Sequence, residues 1–401
     1  MNFRVYKLLA ASCRRQSAIA AISATVIAAV VYIFAAVIDS SSADKMKFSR
    51  TNDTTPPPID KSISNVRISD IVFDTFDGSS VPLSRASDSQ IDRLRDAIRP
   101  IYEPLYEGPE GGAWLADNDL VIGYVSEDEA FAYPVKMLNS HELVNDKIDG
   151  ISLLISYCPL CGSGIVYHRS LNGRDLVFGN TSALYQNDLV MFDHQTGSYW
   201  FQVSGEAIVG KLTGARLKLL PSVTISWNQW KKLYPNTRVL SLNQNFPIGY
   251  NYNRDPFTNY PRSVAAMRFP FPVDTNKIGK ALGPADVVVT VHAGNKEKVY
   301  PLSRIGNGAV NDNVGGVPVT VFSRADGPVG NAFLRTVNGR KLTFLLKAEL
   351  FIDKETGTSW DFNGKAISGP LKGTRLRGAA SRRAFWFSIS LAMPNAEIYM
   401  P

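Results

Sequence analysis

Residues 193–217 read DHQTGSYWFQVSGEAIVGKLTGARL, and residues 353–376 read DKETGTSWDFNGKAISGPLKGTRL. Asp193, Thr196, Gly197 and Trp200 return as Asp353, Thr356, Gly357 and Trp360. Gly205, Ala207, Ile208, Gly214 and Arg216 return as Gly364, Ala366, Ile367, Gly373 and Arg375. The match spreads outward from there. Val144-Asn145-Asp146 recurs as Val310-Asn311-Asp312, NGRDLVF as NGRKLTF, and Trp227 as Trp386. A module of roughly a hundred residues, the size of a small domain, is therefore duplicated.

The second copy lacks the soft ligands of the first. In ungapped alignment Cys158 meets Arg324, Cys161 meets Gly327 and His141 meets Asn307; past a short gap, Met191 meets Phe351. Shared residues are glycines, tryptophans and turn formers, which belong to a scaffold. The comparison assigns the fold to both copies and the chemistry to the first.

Short apolar runs such as LVIGYV, ISLLISY and LVMFD alternate with Gly and Asn turns, the pattern of small twisted sheets. TISWNQWKKLY reads as an amphipathic helix closing the first copy. The expected fold is mainly β (α+β), with tandem β-rich modules each closed by a helix. Module one is expected over 116–244 and module two over 284–401. An insert without periodicity spans 245–283, expected to be a solvated loop or a lid over the cleft between the modules. An extension over 65–115 contains a strand in SNVRISDIVFDTF and a helix capped by Ser87 or Asp88. YPVKML is expected to be a further strand.

Hydrophobic content of 45% and charge of 20% fit a globular chain. The net charge of +7 comes without a Lys/Arg run, so no nucleic-acid partner is expected. From Ser17 to Ile38 the chain is uncharged, and roughly 20 apolar residues suffice to cross a bilayer. Arg4, Lys7, Arg14 and Arg15 lie in the preceding flank, 1–16, which the positive-inside rule places in the cytoplasm. The expected protein is single-pass and anchored through 17–38, with its bulk periplasmic or extracellular. A cleaved signal peptide ending near Ser41-Ser42-Ala43 is the alternative. Residues 39–64, with Pro56-Pro57-Pro58, read as a flexible spacer.

Cys158-Pro159-Leu160-Cys161-Gly162 carries the chemistry. A tight turn of this kind aims two sulfurs at one ion. Two thiolates with His141 and Met191 form a soft set that favours copper, with zinc or no metal as alternatives. Glu142 or Asp146 would then orient the His141 ring. A catalytic dithiol built on Cys158 and Cys161 is the second reading; the strand-like IVYHRSL that follows weakens it, because such thiols gain reactivity at a helix N-terminus. A structural disulfide is the third. Met191 also suits the core, and the recurrence of Asp193 marks it as turn chemistry.

The runs HELVND, YCPLCGSGIVYHR, LVFGNTSALYQNDLVMFDHQTGSYWFQVSGEAIVG and LPSVTISWNQWKKLYPNTRVLS resemble the domain-of-unknown-function family number 3179. The likeness covers most of 115–401 and implies a bacterial or archaeal protein, often exported or anchored, with no established activity. Family members place an aromatic residue before the His-Glu pair, where this chain has Ser140. The expected function is soft-metal binding, for metal handling or redox chemistry, with an unknown redox or metal-donor partner. A thiol-disulfide oxidoreductase or a non-catalytic interaction module is the alternative.

Overall fold

The computed structural model describes residues 55–401, apart from residues 128, 247 and 248. The extension supplies strand β1 (Ile71–Asp74) and helix α1 (Asp88–Leu94). Ser87 and Gln90 cap α1 reciprocally, each side chain bonding the other's backbone N–H. The spacer is built into the protein from Thr55 onward. Arg95 donates to the carbonyls of Pro56 and Pro57, Gly210 N donates to Ile63 O, and Ile59 is buried. The uncharged stretch 17–38 lies outside the described residues. No helix among the described residues is long and apolar enough to cross a membrane.

The first repeat opens with the hairpin of β2 (Leu120–Ser126) and β3 (Glu129–Pro134). YPVKML is not a strand throughout. The strand stops at Pro134, which caps helix α2 (Val135–His141). Proline suits a helix start because its missing N–H is not needed there, and Lys, Met and Leu are good helix formers. Next come β4 (Leu143–Ile148), β5 (Ile151–Cys158) and β6 (Ser163–His168), an antiparallel meander. A hairpin of β7 (Phe178–Tyr185) and β8 (Asp188–Asp193) follows. Gln186 and Asn187, at φ 50° and 62°, make its tight turn. Strand β9 (Val223–Ser226) pairs antiparallel with β2. Helix α3 (Trp227–Leu233) and β10 (Arg238–Leu240), parallel to β3, close the repeat.

The same order and the same pairings return. Strands β11 (Val287–Ala293) and β12 (Lys296–Pro301) form the hairpin. The insert has meanwhile supplied α4 (Tyr260–Ala265), and α5 (Leu302–Ile305) stands where α2 stood. The meander is β13 (Gly308–Val314), β14 (Val317–Arg324) and β15 (Val329–Leu334). The second hairpin is β16 (Phe344–Lys347) with β17 (Leu350–Asp353). Strand β18 (Ala380–Phe385) pairs antiparallel with β11, α6 (Trp386–Ala392) follows, and β19 (Glu397–Ile398) runs parallel to β12.

Side-chain bonding repeats with the strands. Asn145 and Phe178 exchange two 2.8 Å hydrogen bonds, and so do Asn311 and Phe344. Asp193 accepts from Trp200 Nε1 at 2.9 Å and from Thr196, and Asp353 does the same with Trp360 and Thr356. Both tryptophans are fully buried. The recurring motif is thus a buried carboxylate that pins a turn and orients an indole, as its recurrence in the sequence implies.

The repeats join edge to edge. Strand β18 pairs with β6 at Arg383 and Gly164, making one eight-stranded sheet from both copies. Reciprocally, β9 lies beside β15. Gly164 cannot take a side chain, since a Cβ there would meet Thr224 Oγ1 at 2.7 Å and Ile122 at 2.9 Å.

Candidate metal centre

Strand β5 carries Cys158 to the end of the meander, and Cys158 pairs with Ser163 across a short loop. Cys161 N donates to Cys158 O at 3.2 Å, closing the turn. Gly162 sits at φ 56°, a conformation that costs least for glycine, and a Cβ there would meet the Phe385 ring at 2.9 Å. A hairpin tip, rather than a helix start, therefore presents both sulfurs. Cys158 is 1% exposed and Cys161 is 0%. Both are free thiols.

Asp188 is the third member. It opens β8, is fully buried, and accepts from Leu189 N at 2.9 Å and Val203 N at 3.0 Å. The Cys158 and Cys161 sulfurs and an Asp188 carboxylate oxygen all lie within 4.8 Å of one another. Cys161 Sγ also points at Asn187 O, 3.4 Å away. The insert seats this hairpin tip: Tyr260 Oη meets Asn187 Nδ2 at 3.0 Å, and Phe271 N donates to Asn187 Oδ1.

Burial disfavours the charged form of each group in the cluster. Burial pushes the Cys158 thiol up to about 11, and nearby Asp188 and Glu142 add to the shift. Burial raises Cys161 well above the ordinary thiol range. Burial also lifts Asp188 to about 6, against hydrogen bonds from both thiols and two backbone N–H groups. Arg383 lies close by, but its guanidinium donates to the Gly162 carbonyl.

Glu142 stands at the C-cap of α2 in a left-handed conformation, φ 58°. Its carboxylate accepts from Asn180 Nδ2 at 2.5 Å. Burial, foremost, raises it to about 8, although part of the residue reaches the surface. Asn180 begins a bulge in β7 that runs to Ala183, and Ser182 within it has φ 59°. Non-glycine residues in this region are uncommon and cluster at functional sites. Glu142, Asp74, Asn180, Ser182, Pro159 and Leu160 help line a cavity of about 40 Å³, enough for a few waters.

The structure does not bring His141 to the sulfurs. Its Nδ1 meets Arg99 O at 2.7 Å and its Nε2 meets Tyr252 Oη at 2.7 Å, so both ring nitrogens are occupied. Phe246 stacks on the ring, with Tyr250 and Tyr252 beside it. Burial lowers its pKa to about 4, which keeps it neutral. His141 is thus the anchor of an aromatic cluster that fastens the insert. Glu142 does not orient its ring, because it turns away to Asn180. Asp146 accepts from Tyr106 and Tyr133 instead. Met191 is fully buried in β8, level with Asn180 and Trp200. Strand alternation puts it on the face opposite Asp188. Of the expected set, only Cys158 and Cys161 meet, and Asp188 joins them.

A family model matches residues 95–396, which include the cysteine hairpin, both repeats and the insert. The chain belongs to the family described as Protein of unknown function (DUF3179). No curated protein and no solved structure matches it. The resemblance carried by the CPLCG and DHQTGSYW motifs is therefore a family membership. What the DUF3179 site does has to be argued from its own residues.

Proposed function

We propose that Cys158, Cys161 and Asp188 bind one soft or borderline metal ion in a membrane-anchored extracytoplasmic protein. The supporting observation is the meeting of two sulfurs and a carboxylate within 4.8 Å in a fully buried place. Buried anions are costly unless they are paired or coordinate a metal. A divalent ion displaces the two thiol protons and leaves the site, with the Asp188 carboxylate, at a charge of −1; a copper(I) ion leaves it at −2. Carboxylate in place of imidazole and thioether thus moves the preference from copper(I) toward zinc, which accepts both sulfur and carboxylate oxygen. Glu142, held neutral by its raised pKa, adds no charge.

The oxidoreductase reading fares worse on the same observations. An attacking thiol needs a depressed pKa, and burial, with Asp188 alongside, raises both thiols. The anchor reading rests on the uncharged stretch 17–38 and on Arg14 and Arg15 before it. A reporter fused after Pro401 and active in the cytoplasm would overturn it.

The test of metal binding is stoichiometry under reducing conditions, measured on the purified full chain with zinc and with copper(I). One ion per chain is expected in the wild type, with loss from Cys158→Ser and Cys161→Ser and weakening in Asp188→Asn. A wild type without stoichiometric metal, together with a mixed disulfide trapped on Cys158 in Cys161→Ser, hands the site to thiol exchange.

A further inference from the structure

The closing helix of each repeat reaches the other repeat, but the two contacts differ. Phe385, at the N-cap of α6, donates its backbone N–H to Cys161 O at 2.8 Å, and its ring packs against Gly162. The insert packs there as well, with the Phe269 and Phe387 rings 4.9 Å apart and Tyr260 and Phe271 on Asn187. On the other side, α3 faces Arg324, Asp326 and Glu349 across a cleft of about 440 Å³. No residue of the insert lines this cleft among the described residues. Pockets for small molecules run from roughly 300 to 1,000 Å³.

The same places carry opposite chemistry in the two contacts. The alignment that sets Cys158 against Arg324 sets Leu160 against Asp326, and the one that sets Met191 against Phe351 sets Leu189 against Glu349. Counting from Trp227 and Trp386, Lys232 in α3 answers Leu391 in α6. The three leucines pack into the first repeat's core, and their charged counterparts line the open cleft. Unpaired charges are costly to bury, which keeps the cleft from closing. Its cations are Lys232 and Arg324, and its carboxylates are Asp326, Glu349 and Asp361. Arg324 is held in place: Nη2 donates to Glu349 O at 2.6 Å, and the guanidinium lies over the Phe351 ring, 5.3 Å from its centre. Arg324 pairs with the Glu349 carboxylate at 3.4 Å, but that side chain is 90% exposed, so the pair is weak enough for a ligand to displace. Asp361 Oδ1 accepts from Asn363 N and Lys365 N, which fixes the carboxylate and leaves Oδ2 for a ligand. Gln229 Oε1 and Asn307 Oδ1 accept from Ser226 and Ala325, so each amide keeps its NH₂ donors for the cleft.

We infer that this cleft binds a small zwitterion, an α-amino acid or a dipeptide with an apolar side chain. Arg324 and Lys232 take its carboxylate, and Asp361 takes its ammonium. Ile225, Leu233, Leu350 and Phe362 receive its side chain. A simple anion would meet three carboxylates, and a simple cation would meet Lys232 and Arg324. A molecule that carries both charges answers both sets. The planar fork of Arg324 matches a carboxylate in two parallel hydrogen bonds. This site uses none of the residues of the cysteine cluster, so it does not rest on metal binding. It gives the copy without cysteines a ligand of its own.

The test is ligand-observed NMR titration of the purified full chain with four probes. Leucine and leucyl-leucine are the zwitterions; N-acetyl-leucine lacks the ammonium, and leucinamide lacks the carboxylate. At least one zwitterion should bind with a millimolar or tighter Kd, and the tighter of the two identifies the ligand's size. Each blocked form should bind at least about tenfold more weakly, the value of one hydrogen bond between charged groups. Lys232→Gln alters an exposed side chain, so the fold is kept. It should weaken the zwitterion by about tenfold and narrow its lead over leucinamide. Asp361→Asn retains an acceptor for the two backbone N–H groups and should narrow the lead over N-acetyl-leucine. Circular dichroism of both variants should match the wild type. Binding of neither zwitterion at about 10 mM overturns the inference. Equal binding of free and blocked forms, the behaviour of a merely apolar groove, overturns it too, as does a Lys232→Gln protein with wild-type affinities.

Discussion

Glu142→Gln is the substitution whose consequence follows most directly from the geometry. Glu142 titrates at about 8 in the folded protein because burial disfavours its charge, against an ordinary value of 4.5. Between those two values the folded chain holds a proton that the unfolded chain has lost. Stability therefore falls as pH rises through that window. Each pKa unit is about 1.4 kcal/mol, so the full shift sets a ceiling of roughly 5 kcal/mol. Partial exposure at the cavity mouth lowers the expected loss to about 2–3 kcal/mol. Glutamine keeps an acceptor for Asn180 Nδ2 and removes the titration. The assay is urea unfolding of the chelator-treated protein at pH 5 and pH 8.5. Wild type should lose about 2–3 kcal/mol more than Glu142→Gln over that interval. Parallel losses in the two proteins would refute the claim that Glu142 is a buried, protonated acid.

Other outcomes follow from the same interactions. His141→Ala should leave zinc affinity within about twofold while destabilising the chain by about 2–4 kcal/mol, since it removes two hydrogen bonds and a stacked ring; a large loss of metal would return His141 to the ligand set. Asp193→Asn and Asp353→Asn should each destabilise by about 1–3 kcal/mol in urea unfolding without touching metal content, because each carboxylate pins a turn and an indole. Acid should release the ion as the thiols and Asp188 regain protons. Affinity should therefore rise from pH 6 to pH 8 in wild type and rise less steeply in Asp188→Asn, which has one proton fewer to lose. Gly164→Ala should lower Tm, because its Cβ would press on Thr224 and Ile122 of the same repeat where β6 meets β18.

The duplication was legible because turn glycines and paired tryptophans are dictated by backbone shape and survive in both copies. Gly205 and Gly364 both take φ near 70°, as do Gly197 and Gly357. The cysteine turn was legible because its spacing is short. Asp188 was missed for a physical reason. The hairpin from Phe178 to Asp193 is longer than that from Phe344 to Asp353, and the extra length holds both the Asn180–Ala183 bulge and the start of β8. A residue in the gap between two copies has no counterpart to contrast with. Its signal was the gap itself. His141 misled because losing a residue from one copy marks any local role, and here the role is to anchor the insert, which only the first repeat carries. The insert has no periodicity, and its docking was hard to place because its contacts are scattered: Tyr252 and Phe246 meet His141, Asp255 meets Asn139, and Tyr260 and Phe271 meet Asn187.

The central claim, that two sulfurs and a carboxylate hold one ion, is tested most directly by X-ray absorption at the metal edge of the reduced, zinc-loaded full chain. The account predicts two sulfur scatterers at about 2.3 Å and oxygen at about 2.0–2.2 Å, with no imidazole outer-shell signal. An imidazole signal, a single sulfur, or a protein that retains no ion with its thiols reduced would contradict it.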